Sequence, residues 1–429
     1  MTTTDATITK RPSSRRSFLR GAAGVAAVAS TGLGPKLAFA SPSNPATGDS
    51  LVVIFLRGGA DGLSMTPPTG PAFDSYQTIR PTIAINPSQS LALDSSNTNA
   101  VFPQGMSGIV GLHPTLAPLY DSVWAAGQMA VIPAVGLPDS ESRSRSHFEA
   151  QNFWDRGSAS RGVRTGWLNR VMTAQGAAGP VPALSKSYQN PEMLVGPARA
   201  INVPDLRSFG VSGFRGDAQP MTALRAMYDG GAGLVNRTGS ETLDVTALLG
   251  SVDANAGPSY PSGTFSRNLK QVANLLRANV GLQGALIEFG GWDHHGELGV
   301  PGDTGGRFWR KASEMAVGLR AFVDDLGPGG LEETTIVVIS EFGRTIDENS
   351  SGGTDHGRGG TMFVIGGGVQ GGVFGNDYPS LIEDSNTNRR ALPVLTDFRQ
   401  PLSEVLASRV GVTGVYPTFT QGADLGVSR

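Results

Sequence analysis

Four of the chain's five histidines fall in three short stretches, each of which sets an imidazole close to a carboxylate or a hydroxyl. They read Ser-Arg-Ser-His-Phe-Glu-Ala-Gln (Ser144 to Gln151), Gly-Gly-Trp-Asp-His-His-Gly (Gly290 to Gly296) and Gly-Thr-Asp-His-Gly-Arg-Gly-Gly (Gly353 to Gly360). Imidazole with carboxylate is the donor set that a divalent metal binds, so the chemistry these residues point to is metal-dependent hydrolysis. One such stretch alone reads equally well as turn chemistry, because Asp and His beside Gly are common in turns. Three of them argue for a shared polar site. The fifth histidine, His113, precedes Pro114 at a helix start and reads as structural.

The second and third stretches follow apolar runs of strand length, Ala285 to Phe289 and Thr334 to Ile339. In an open α/β sheet the loops beyond the carboxyl ends of the strands build the site. Leu51-Val-Val-Ile-Phe-Leu56 is a third such run, ending in the glycine turn Arg57-Gly-Gly-Ala-Asp-Gly62. Met129 to Val135, with Pro133 inside it, and Thr361 to Ile365 read as further strands. Helical spacing marks His113 to Gly127, a segment capped by Ser146 and running through Trp154, and Phe265 to Ala278, Arg307 to Leu326 and Phe398 to Val410. Glu149 stands where a capping box with Ser146 would place it. Phe148, Trp154 and Trp167 read as core packing. Strands alternating with helices predict an α/β fold, a mostly parallel central sheet with helices on both faces.

The first 40 residues read as a twin-arginine export signal. Ser14-Arg-Arg-Ser-Phe-Leu-Arg20 is followed by a stretch rich in Gly and Ala from Gly21 to Gly34 and by the small-x-small site Ala38-Phe39-Ala40. The apolar stretch falls short of the roughly 20 residues a spanning helix needs, so no integral membrane span is expected in the mature form. The reading implies the twin-arginine translocase as a partner during export and a periplasmic or secreted location. A chain without cysteine needs no oxidative folding there. The signal carries six basic residues and one acidic one, so its removal takes the net charge from −2 to about −7. Such a surface does not attract nucleic acid by bulk charge. Residues 41–50 read as a linker and 51–429 as a single domain, with a Gly/Pro-rich insertion at about 175–261 where periodicity fades.

Ser340-Glu-Phe-Gly-Arg344 at a strand end, His356 in a glycine loop and Thr396-Asp-Phe-Arg-Gln-Pro401 further on stand in an order that resembles the alkaline phosphatase and sulfatase superfamily. More closely, the chain is similar to the exported bacterial family called domain of unknown function 1501. The hallmarks are Phe55 to Leu63, Arg145-Ser-His-Phe148, Gly166-Trp-Leu-Asn169, Gly291-Trp-Asp-x-His295, Ser340-Glu-Phe-Gly-Arg-Thr345 and Gly353-Thr-Asp-His-Gly357. The resemblance implies an alkaline phosphatase-like fold and a divalent metal centre, of Zn²⁺ type, with one or two ions. One half-site would use Asp293, His295 and His356, and the other Asp61 and Glu341. Phe342 stands where the superfamily has a metal-binding histidine, so the second half-site lacks a ligand. Ser146, with Ser144 second, fits the superfamily's nucleophile at a helix N-terminus, though a plain N-cap fits as well. His147 would act as acid or base or hold its loop, and His294 would lie on the surface or behind the ligands.

Arg57, Arg145 and Arg344 would hold an anionic small-molecule or polymer substrate. The function expected is hydrolysis of phosphate or sulfate esters. The alternative is a non-catalytic envelope binding or assembly protein that keeps a degenerate metal site. Serine-based ester or polysaccharide hydrolysis fits less well, because no serine here sits in a Gly-x-Ser-x-Gly elbow.

Overall fold

Six consecutive apolar residues between Ser50 and Arg57 leave no polar face, and a strand covered on both sides is the element that accepts them. They form β1 (Ser50–Arg57), buried along its apolar length. The computed structural model describes residues 49–176, 179–210, 218–231, 233–300, 302–375 and 391–429. The export signal and most of the linker expected at 41–50 lie outside the described residues. Residues 49–206 and 252–429 belong to one compact unit and Arg207–Ser251 to another.

In the larger unit β1 is joined by β2 (Met129–Gly136), β3 (Ala183–Ser185), β4 (Ile201–Asn202), β5 (Gly284–Gly290), β6 (Thr334–Ile339), β7 (Gly360–Ile365), β8 (Gly372–Val373) and β9 (Thr396–Asp397). The sheet runs β8-β2-β7-β6-β1-β5-β3-β4, with β9 also on β2. β7 is antiparallel to β2 and β6, while the other pairings are parallel. β2 accommodates Pro133 through a register shift between Pro133 and Val135. Ala134 takes a positive φ of 54° there.

The helices of this unit are α1 (Gly62–Met65), α2 (Phe73–Ile79), α3 (His147–Arg156), α4 (Trp167–Ala174), α7 (Thr264–Arg277), α8 (Arg307–Glu332) and α9 (Arg399–Val405). Alternate residues of β1, Leu51, Val53 and Phe55, share a core with Trp154 of α3, Val171 of α4 and Leu402 of α9. On the other face Phe289 of β5 stacks on Phe265 of α7 at 4.2 Å. Helices therefore cover both faces of a mostly parallel sheet, as the alternating pattern predicts. The smaller unit holds α5 (Ala218–Tyr228) and α6 (Leu234–Ser251), tied by Asn236 Nδ2 donating to Tyr228 O at 2.9 Å. No helix among the described residues is long and apolar enough to cross a membrane.

Several local expectations change. α8 breaks at Gly327, φ 64°, with Pro328 next, which is where the helical spacing predicted an end. Residues 114–124 wind as three short turns of different pitch in place of one regular helix. Ser146 does occupy the N-cap of α3, but its hydroxyl makes no capping bond. Trp154 and Trp167 are buried, whereas Phe148 is 80% exposed. α3 turns Ala150 and Trp154 inward, and a residue two positions before Ala150 lies about 200° round the helix from it.

His113 is buried, as a structural residue should be, and its Nδ1 accepts from Thr115 N at 3.2 Å. Burial holds its imidazole down to about 3 from an ordinary 6.5. The unfolded chain thus takes up a proton that the folded chain refuses. This residue's share of stability is intact above pH 6.5 and declines by about 1.4 kcal/mol per pH unit as pH falls towards 3. His113→Asn keeps a capping side chain. It is expected to flatten the acid side of the stability profile by about that slope, read from urea unfolding at a series of pH values. An unchanged slope would remove His113 from the account.

Candidate metal centre

β1, β2, β5 and β6 end at one edge of the sheet, and β7, running the other way, begins there. The loops after Arg57, Gly136, Gly290 and Ile339 and the loop before Gly360 therefore meet. Gly58 makes the closest approach possible: its φ is +125°, and a Cβ on it would stand 2.4 Å from Asp293 N. Arg344, 2% exposed, fastens these loops together. Its guanidinium donates to Gly59 O at 2.6 Å, Thr354 O at 3.1 Å, Trp292 O at 3.3 Å and Gly58 O, and to Asp293 Oδ1 at 2.6 Å.

Asp293 Oδ1 is the centre of the arrangement. His295 Nε2 lies 3.0 Å from it, His356 Nε2 3.2 Å and His147 Nε2 3.5 Å. His295 Nε2 and His356 Nε2 are 2.9 Å apart. Each ring has a partner on its other nitrogen. His147 Nδ1 is 2.7 Å from Glu341 Oε1, His295 Nδ1 3.0 Å from Asp355 Oδ1 and His356 Nδ1 2.8 Å from Arg145 O. All three partners are acceptors, so in the neutral rings each Nδ1 carries the proton and each Nε2 presents a lone pair. Three lone pairs then border one carboxylate oxygen, with Arg344 the only donor on that oxygen among these groups. His147 Nε2 is buried and makes no hydrogen bond.

Ligands held about 2.0–2.1 Å from a tetrahedral ion stand about 3.3 Å from one another, close to the separations found here. His147, Asp293 and His356 form a group that could hold a metal ion, their ligand atoms all within 4.8 Å. His295 adjoins it through Asp293 and His356.

For Asp293 and His356 the electrostatics favour the forms a cation needs, whereas at His147 a cation has to displace a proton. Burial alone would raise Asp293, but the hydrogen bond and charge of Arg344 hold its carboxyl down to about 2. Burial lowers His356. Glu341 is ionised, since the bonds from His147 and from the Gly58 amide outweigh the cost of burial. The same hydrogen bond raises His147.

The structure thus brings together Asp293, His295, His356 and His147, with Glu341 behind His147. Asp61 does not join them. It caps α1 through the amides of Leu63 and Ser64 and pairs with Arg80, 2.8 Å away. Arg344 works as a buried fastener and Arg57 lies 3.5 Å from Glu288. Arg145 offers its carbonyl to His356. Ser146 is exposed, and its amide donates to Ser144 Oγ at 3.2 Å. His294, expected on the surface or behind the ligands, is 3% exposed, and burial lowers it to about 4. Its ring packs near Trp292 and Phe308. Phe342 lies against His147 and His356, ring centres 4.9 and 5.0 Å away. Sequence reasoning assigned no role to Asp355 or Arg80. Asp355 directly precedes His356, a signal that could have found it; nothing in the spacing marks Arg80.

The pattern of the family described as protein of unknown function (DUF1501) matches residues 125–392. No curated protein matches the sequence. Among solved structures, the crystal structure of the lipoteichoic acid synthase LtaP from Listeria monocytogenes is similar at 13% identity, covering 87% of this chain and 80% of that one. Its TM-score of 0.29 is too low to carry fold detail or activity across. The family match spans more than half of the chain and includes His147, Asp293, His295 and His356: this chain belongs to the DUF1501 family.

Proposed function

We propose that the protein is an exported, metal-dependent hydrolase of phosphate or sulfate esters, alkaline phosphatase-like in fold and acting in the periplasm or outside the cell. The observation that carries this reading is the convergence of three imidazole Nε2 atoms on Asp293 Oδ1, the buried Nε2 of His147 being without a hydrogen bond. Imidazoles with one carboxylate suit Zn²⁺. A bound ion supplies Lewis-acid activation of water or of an ester oxygen.

The chain's own residues do the rest. Glu341, Asp355 and the Arg145 carbonyl orient the three rings, and Arg344 keeps Asp293 ionised. Ser146, exposed at the start of α3, is the proposed nucleophile, beside first-turn amides that favour an anionic oxygen. Arg57, half-exposed at the end of β1, and Arg145 would hold the anion. Passage through the twin-arginine translocase is part of the same reading. The apolar Phe342 favours a second one, an envelope binding or assembly protein with a metal site but no turnover.

The test is metal content of the chain purified without chelators or an affinity tag, beside His356→Ala, followed by a screen of phosphate and sulfate esters. An ion lost in the variant together with ester turnover supports the hydrolase. An ion without turnover favours the binding protein. No ion, even after soaking with Zn²⁺, Mn²⁺ and Ca²⁺, sinks the metal reading. Glu341→Ala frees the His147 ring, and Zn²⁺ binding is expected to weaken about 10- to 100-fold, as for other groups that orient a ligand. Unchanged binding would show that His147 takes no part.

A further inference from the structure

We infer that the centre holds one ion, and that the Arg80 guanidinium has the place of a second. The inference rests on the metal reading above. The resemblance implies a second half-site from Asp61, Glu341 and the residue after Glu341, and the three together do not supply it.

Asp61 is 1% exposed and its two oxygens are saturated. Oδ1 accepts from Leu63 N at 3.1 Å, Ser64 N at 3.3 Å and Arg80 at 3.2 Å. Oδ2 accepts from Arg80 at 2.8 Å and Thr354 Oγ1 at 3.4 Å. A carboxylate has about four lone-pair directions, so no direction remains for a metal. Arg80 cannot swing aside. It is wholly buried, and its other donors are held by Ile346 O at 2.8 Å and Thr345 O at 2.7 Å. Arginine stays charged in any environment, so this position carries a permanent cation that repels another.

Glu341 has most of its lone-pair directions engaged. Oε1 accepts from His147 at 2.7 Å and Gly58 N at 2.8 Å, and Oε2 lies 2.9 Å from Ser340 Oγ. Phe342 offers no donor atom at all. In exchange, His147 comes from α3 to the cluster around Asp293, where its Nε2 lone pair is open.

The whole exported chain is stripped with a chelator, titrated with Zn²⁺ and counted by native mass spectrometry. Crystals of the loaded protein then give an anomalous map at the zinc edge. One equivalent is expected, with one peak at His147, Asp293, His295 and His356. Two equivalents, with a second peak bonded to Asp61 or Glu341, overturn the inference and leave the proposed function standing. No tightly bound ion overturns both. Because the decisive count is made on the unaltered chain, a variant that fails to fold does not affect it.

Discussion

Asp293→Asn is expected to weaken Zn²⁺ binding by at least about 100-fold while leaving the metal-free chain folded, though less stable because the buried Arg344 loses its charged partner. One ligand in four of a structural zinc site is worth about 3 kcal/mol or more, and 1.4 kcal/mol is a factor of ten. The amide has nearly the shape of the carboxylate, so packing is kept, but it has lost the charge. Asp293 Oδ1 is also the one atom that all three rings approach, at 3.0, 3.2 and 3.5 Å. A competition titration against a zinc-binding dye reads the affinity, and thermal unfolding of the stripped protein checks the fold. An Asn variant that binds as tightly as the parent would mean the ion sits elsewhere.

Arg344→Met is expected to cost the fold about 3–5 kcal/mol, because the buried guanidinium serves four carbonyl oxygens, while its partner Asp293 is 47% exposed and adds less. The variant leaves four carbonyl oxygens, those of Gly58, Gly59, Trp292 and Thr354, without this donor. Each orphaned acceptor that water does not reach adds to the cost. A fall in Tm of about 4–6 °C follows for a domain of this size. Arg344→Lys recovers only part of it, since an ammonium cannot serve so many acceptors in a plane.

The pH dependence has a definite sign. Asp293 is lowered to about 2 from 3.8, so the pair's share of stability is present above pH 3.8 and fades as pH falls towards 2. The gap between parent and Arg344→Met therefore narrows in acid. A constant gap would assign the loss to the carbonyls alone.

Much of the sheet was legible because apolar runs and their glycine ends are local properties. Thr334 to Ile339 is a strand with the bounds its pattern predicted, and Leu51 to Leu56 gains one residue at each end. β3 and β4 were missed inside the stretch where periodicity fades. Strands of three and two residues are too short to show alternation, and pairing with β5 makes β3 a strand. The antiparallel course of β7 was also invisible, since a strand's sequence carries no sign of its direction in the sheet.

From the residues alone came the strand ends, the three histidine stretches beyond them and the expectation of one shared polar site. The tertiary structure decided which atoms face each other. Glu341 meets His147 across 194 positions of sequence, and that contact turns a histidine expected as acid or base towards Asp293. Arg80 reaches Asp61 and removes it from the cluster, and Phe148, read as core, faces solvent. The reason is common to all three. Residue type states what a side chain can bind, but its partner depends on which loops abut at the sheet edge and on how a helix is rotated against its neighbours.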